Sequence, residues 1–216
     1  DLLNVKYIIS NKILDVPDYR VIYNTTSNIY LVNGLLYLSD VKLDPYLYEF
    51  IRNQDFYVYL NKNYLPRAFF VPNAVVLDRE YILSRLRERE FDPKKTVFLE
   101  KQIDKPLVNN GTFKESEIEF YSPNNIKIKI NTDTSGFLVL SENWYPGWKA
   151  FDNGKETEIY RANYILRAIY LNEGKHKIDF VYDPLSFKLG LWITLTTSFF
   201  IIVYFVHILW TRKAKT

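Results

Sequence analysis

Leu189 to Trp210 reads LGLWITLTTSFFIIVYFVHILW. None of these 22 residues is Asp, Glu, Lys or Arg. At 1.5 Å per residue, about 20 residues cross a bilayer core of about 30 Å. A surface helix of a soluble protein carries a polar stripe because one face meets water, and this segment has none. Trp192 and Trp210 stand near its two ends, where indole rings favour the membrane interface. Lys188 bounds it on one side and Arg212-Lys213-Ala214-Lys215 on the other. The reading is a transmembrane helix over 189–210 with a short tail over 211–216, which makes the lipid bilayer the first partner expected. The positive-inside rule puts the tail in the cytoplasm and residues 1–184 outside it, anchored at the plasma membrane. His207, inside the span, reads as a neutral imidazole near the inner interface.

The formal charge of +3 is carried by that tail, since Arg212, Lys213 and Lys215 account for all of it. The remainder is balanced and offers no electrostatic footprint for nucleic acid. With no cysteine there is no disulfide and no thiolate metal site. The chain has no methionine, opens on Asp1, and lacks a leader pattern at Leu2-Leu3-Asn4-Val5. The expectation is that further chain precedes it.

Outward from the helix, the preceding residues read as strands. Ile126-Lys127-Ile128-Lys129-Ile130 alternates strictly, the pattern of a half-buried strand. Phe137-Leu138-Val139-Leu140 suits a strand covered on both faces. Asp152-Asn153-Gly154-Lys155 holds Asn-Gly, the strongest short hairpin signal. Tyr164–Leu171 and Lys175–Tyr182 flank Asn172-Glu173-Gly174 and predict a second hairpin, with His176, Ile178, Phe180 and Tyr182 on one face. His176 itself reads as an exposed strand histidine between two lysines.

The first half is mixed. Val5–Ser10, Tyr19–Tyr23, Phe56–Leu60 and Thr96–Glu100 predict strands, and Asp78–Glu90 predicts a helix with Asp78 as its N-cap. Polar Lys101–Thr112 marks the internal boundary. The fold expected is mainly β with some α: an antiparallel sandwich or jelly roll carrying one C-terminal transmembrane helix. Residues 1–110 would form a mixed α/β subdomain and 111–185 a β-sandwich subdomain, with strands shared between them.

No catalytic constellation is present: HExxH, GxSxG, P-loop and GxGxxG patterns are all absent. Glu115, Glu117 and Glu119 alternate, as a solvated sheet face would. No catalytic or metal-ligating residue is therefore assigned. The segment that stands out is Trp144-Tyr145-Pro146-Gly147-Trp148. Pro-Gly suits the centre of a type II turn, which would display Trp144, Tyr145 and Trp148 together. Such rings stack on sugars and offer a polar handle; they could equally plug a core or rest on a membrane. Arg161, Asn163, Tyr164 and Arg167 follow on neighbouring strands. They suit either phosphate and hydroxyl contacts or a surface ladder.

These residues carry a family resemblance. Leu138 to Ala150, the Asn153-Gly154-Lys155-Glu156 turn, Tyr160 to Tyr164, Leu166-Arg167-Ala168, Glu173 to His176 and Phe180 to Pro184 resemble the C-terminal region of the YfhO family of bacterial membrane proteins. Leu2 to Ile9, Leu65 to Pro72, Phe91-Asp92-Pro93 and Val97 to Glu100 resemble it upstream. That family is similar to the GT-C class of glycosyltransferases and is implicated in decorating cell-envelope polymers such as teichoic acids. The resemblance implies a polyprenyl-phosphate sugar as donor and an envelope glycan as acceptor. It also implies that acidic catalytic residues sit in a loop between early transmembrane helices, with which this chain would pack. The chain itself would hold no cofactor and would position substrate; a non-enzymatic glycan-binding or scaffold domain is the rival.

Overall fold

A computed structural model describes residues 3–10, 14–24, 29–32, 35–38, 41–42, 57–88, 90–106 and 111–213. The chain divides into two compact units, residues 1–69 with 140–142, and residues 70–139 with 143–216. The body is mostly β, with antiparallel and mixed sheets, and ends in one apolar helix.

In the first unit, β1 (Tyr7–Ser10) and β2 (Tyr19–Asn24) flank β6 (Tyr57–Asn61) in an antiparallel sheet. These match three predicted strands, although Phe56 lies outside the described residues. Tyr59 is buried, and its hydroxyl accepts the Leu14 N–H at 2.8 Å. A second sheet runs β3 (Ile29–Val32), β4 (Leu35–Leu38), β5 (Val41–Lys42).

Seven further strands form one sheet. They are β7 (Ala68–Val71), β8 (Asn73–Val76), β9 (Thr96–Leu99), β10 (Lys114–Glu115), β13 (Gly136–Asn143), β16 (Tyr160–Ala162) and β17 (Leu166–Leu171), in the order β10-β7-β13-β17-β16-β9-β8. The β8–β9 pair is parallel. All six residues of β17 are buried, the charged Arg167 among them. Phe137 sets its ring edge-on to Tyr160 at 5.5 Å and to Tyr170 at 5.7 Å.

The remaining strands, β11 (Glu117–Ser122), β12 (Asn125–Thr132), β14 (Trp148–Asp152), β15 (Lys155–Thr157) and β18 (Gly174–Tyr182), form a sheet in the order β11-β12-β18-β14-β15. The Ile-Lys alternation of β12 resolves as expected, with Ile126, Ile128 and Ile130 buried. Asn153 (φ 49°) and Gly154 (φ 82°) both adopt positive φ in the β14–β15 hairpin, the requirement of a type I′ turn. The Asn153 side chain then latches the tip to β18, accepting the Lys177 N–H at 3.0 Å and donating to the Lys175 carbonyl at 3.1 Å.

Two expectations need correction. Asn172-Glu173-Gly174 does not close a hairpin, because β17 and β18 belong to different sheets and the chain crosses between them there. Both strands bury residues that already have partners elsewhere: β17 pairs with β16, and β18 with β12 and β14. The predicted helix over 78–90 is shorter, α1 (Arg79–Leu86), with Arg87 as its C-cap. Only Ile82 is buried along it, and Arg87 and Glu88 offer nothing apolar to extend the contact. Asp78 is extended at the N-cap, but its side chain makes no capping bond. Residues 107–110 of the predicted boundary lie outside the described residues.

The C-terminal helix, α2 (Leu185–Lys213), contains the predicted span. Residues 185–205 are long and apolar enough to cross a membrane. The hydroxyls of Thr194, Thr196 and Thr197 donate to the carbonyls four residues back, so within the helix these polar groups are satisfied. Residues 214–216 of the predicted tail lie outside the described residues.

Candidate functional site

Trp144-Tyr145-Pro146-Gly147-Trp148 joins β13 to β14. Gly147 has φ +101°, in keeping with the third position of a type II turn. A Cβ there would come within 2.9 Å of Pro184 Cβ and 3.1 Å of Tyr182 Cε2. Glycine thus lets the turn lie directly on the junction where β18 becomes α2. Trp148 pairs with Tyr182 in register, and the Asp183 N–H donates to the Gly147 carbonyl at 2.8 Å. The Trp144 N–H donates to the Ile165 carbonyl at 2.6 Å. Gly147→Ala combines an unfavourable φ with a clash against Pro184, and is expected to cost about 1–3 kcal/mol in thermal or denaturant unfolding.

The site residues fall into two groups. In the first, Tyr182 lies 5.3 Å from Trp148 and 6.4 Å from Tyr145, ring centre to ring centre. The Arg167 guanidinium stacks on Trp148 at 3.9 Å and faces Phe180 at 5.6 Å. Arg167 is only 2% exposed, so it is not part of a surface ladder. Its planar cation can lie against an indole without giving up the flat contact, which a lysine cannot do.

In the second group, Arg161 lies over Trp144 at 4.2 Å and reaches Glu100 at 3.6 Å. Glu100 also meets Arg79 at 3.8 Å, and Arg79 covers the Tyr164 ring at 4.8 Å. Asn163 and Tyr164 both have positive φ, at 45° and 76°. Asn163 is buried and clamps β9: its Oδ1 accepts the Phe98 N–H at 2.9 Å, and its own N–H donates to the Phe98 carbonyl at 2.8 Å. Its place is architectural.

The sequence pattern places Phe180 and Tyr182 on one face of their strand, but marks neither them nor Arg79 and Glu100 as site residues. The inward face of β18 already contained Phe180 and Tyr182, which was the available signal. That same alternation overturns the reading of His176 as exposed. His176 is 7% exposed; its Nδ1 faces the Asp152 carboxylate at 2.8 Å and its Nε2 faces the Asn172 carbonyl at 3.0 Å. Glu115 and Glu117 fall in strands of different sheets, and a bulge between Ile118 and Phe120 breaks the acidic alternation at Glu119, which pairs with Lys129. Among the described residues no group of three or more His, Asp or Glu is disposed to hold a metal ion.

The junction beneath the turn is held by charge. Asp183 accepts from Lys188 Nζ at 2.7 Å and from Lys149 Nζ at 3.3 Å. The Lys188 hydrogen bond, then that of Lys149, holds the Asp183 carboxyl below its ordinary value, with burial opposing weakly. A lowered carboxyl pKa gives a contribution present above the unfolded value and lost as pH falls through the folded one. The clasp is therefore complete at neutral pH and is lost as pH falls through the lowered Asp183 value. Lys188→Gln is expected to return the Asp183 titration upward, read by carboxyl carbon NMR.

A β-rich body whose aromatic turn lies on the entry to an apolar helix defines a membrane-anchored domain. Residues 101–194 match the family model of the bacterial membrane protein YfhO. The matched stretch begins just after β9 and runs through β10 to β18, the turn and the junction into the first turns of α2, so the resemblance carried by the Tyr-Pro-Gly-Trp block holds there. The resembling segments upstream of residue 101 lie outside it. No curated protein and no solved structure matches the chain.

Proposed function

We propose that this chain is the C-terminal extracytoplasmic domain and last membrane helix of a polytopic, GT-C-like glycosyltransferase. The whole protein would use a polyprenyl-phosphate sugar donor on cell-envelope polymers. This part is non-catalytic and positions substrate, while the acidic catalytic residues belong to a loop between early helices. The observation that carries the reading is the Trp144–Trp148 turn, fixed on the β18–α2 junction with Trp144 and Trp148 half-exposed, Tyr145 exposed and Arg161 beside it. Indole and phenol faces stack on sugar rings, and a guanidinium matches a phosphate. A substrate held at this height stays close to the membrane surface, where a lipid-linked donor presents its sugar.

The test uses the full-length protein in cells. Trp144→Ala is expected to leave abundance normal and to lower sugar incorporation into the envelope polymer about tenfold, about 1.4 kcal/mol of transition-state stabilisation. Normal incorporation at normal abundance contradicts the reading. A non-enzymatic scaffold domain is the second reading, favoured by the burial of Arg167 against Trp148. It predicts that Trp148→Ala lowers abundance and that Trp144→Ala changes neither abundance nor incorporation.

A further inference from the structure

The exposed aromatic side chains of the five-stranded sheet gather at one end. The register fixes their height. Val181 and Phe180 of β18 stand opposite Asn125 and Ile126 of β12, and those stand opposite Ser122 and Tyr121 of β11. The Tyr182 N–H donates to the Asn124 carbonyl at 2.9 Å, so the β11–β12 turn reaches the level at which β18 ends. Leu185 opens α2 three residues after Tyr182. Tyr121 (49% exposed), Phe120 (50%) one residue before it, and Tyr145 (62%), whose ring meets Tyr182, therefore all lie toward the end of the sheet from which the helix leaves. The opposite end of the sheet is polar, with Lys155, Glu156 and Lys175 exposed. Among the described residues, its strands and turns expose no other large apolar side chain.

This is the composition of an interfacial belt: rings with an apolar body and, for tyrosine, a polar tip, next to Lys149 and Lys188. Trp192, 69% exposed in the second turn of α2, continues it along the helix. The chain leads from this end of the sheet directly into a segment apolar enough to span a bilayer. The lipid surface is thus continuous with the aromatic end of the sheet.

We infer that Tyr145, Tyr121 and Phe120 form a footing that seats this end of the β body in the head-group layer of the leaflet its own helix enters. Gly147 and Pro184 set the turn against the junction, and Lys149 and Lys188 share Asp183, so the footing is held at a fixed height to the helix start. The inference stands apart from the sugar reading, because it needs only the membrane.

The absence of cysteine makes the test clean. Tyr145→Cys, Phe120→Cys and Lys175→Cys, each made separately in the whole chain, are labelled with an environment-sensitive fluorophore and reconstituted in phosphatidylcholine–phosphatidylglycerol vesicles. Labels at 145 and 120 are expected to emit blue-shifted light and to be quenched about twofold or more by lipids spin-labelled near the head group, with the label at 175 unaffected. Emission at both 145 and 120 as water-like as at 175 overturns the inference. So does a blue shift without lipid quenching, which would mean that the rings pack on protein.

Discussion

Phe137→Ala is expected to destabilise the body by about 3–5 kcal/mol in equilibrium unfolding, the largest effect of any single truncation considered. Phe137 is wholly buried in β13, between β7 and β17 of the seven-stranded sheet. It supplies edge-on contacts to both Tyr160 and Tyr170, so its loss removes two aromatic pairs as well as buried area. Strands on both sides restrain the sheet from collapsing into the space left. Because folded domains hold only about 5–15 kcal/mol in total, this one change takes a large share. Phe137→Leu, which refills most of the volume, should recover more than half of the loss.

Arg167→Ala is expected to cost about 2–4 kcal/mol and to change the environment of Trp148 at the same time. The guanidinium lies between β17 of one sheet and the Trp148 and Phe180 rings of the other. Removing it deletes a desolvated cation–π contact and opens a void beneath the indole. Arg167→Lys should rescue little, since an ammonium on a flexible stem cannot lie flat on the ring. The readouts are the unfolding midpoint and the near-ultraviolet circular dichroism of the indole. An unchanged dichroism band with unchanged stability would remove Arg167 from the support of the turn.

The helix, the Ile-Lys strand and the Asn-Gly hairpin were legible in the sequence because each is decided locally. Charge depletion over Leu189–Trp210, a period of two at Ile126–Ile130, and positive φ at Asn153-Gly154 need no knowledge of the rest of the chain. The failures are decided by tertiary context. Asn172-Glu173-Gly174 looks like a hairpin, but whether two flanking strands pair depends on which neighbours have already claimed their edges. Buried His176 and Arg167 were misplaced because residue type suggested solvent. The alternation that put His176 in line with Ile178 and Phe180 pointed inward, and Asp152 on the neighbouring strand supplies the partner that makes burial tolerable. Of the site, the Trp-Tyr-Pro-Gly-Trp turn was legible through its glycine. Its seat on Pro184 and the stacking of Arg161 and Arg167 were not, because they join residues far apart in the chain.

The substrate proposed for the Trp144–Trp148 turn is a lipid-linked sugar at the membrane face. The most direct measurement is titration of a polyprenyl-phosphate sugar into lipid nanodiscs carrying this chain, followed by native mass spectrometry and indole fluorescence. Saturable binding is expected, weakened about tenfold or more by Trp144→Ala, roughly 1.4 kcal/mol, with the fold unchanged. Binding that the substitution leaves intact, or no binding beyond that of nanodiscs alone, would contradict it.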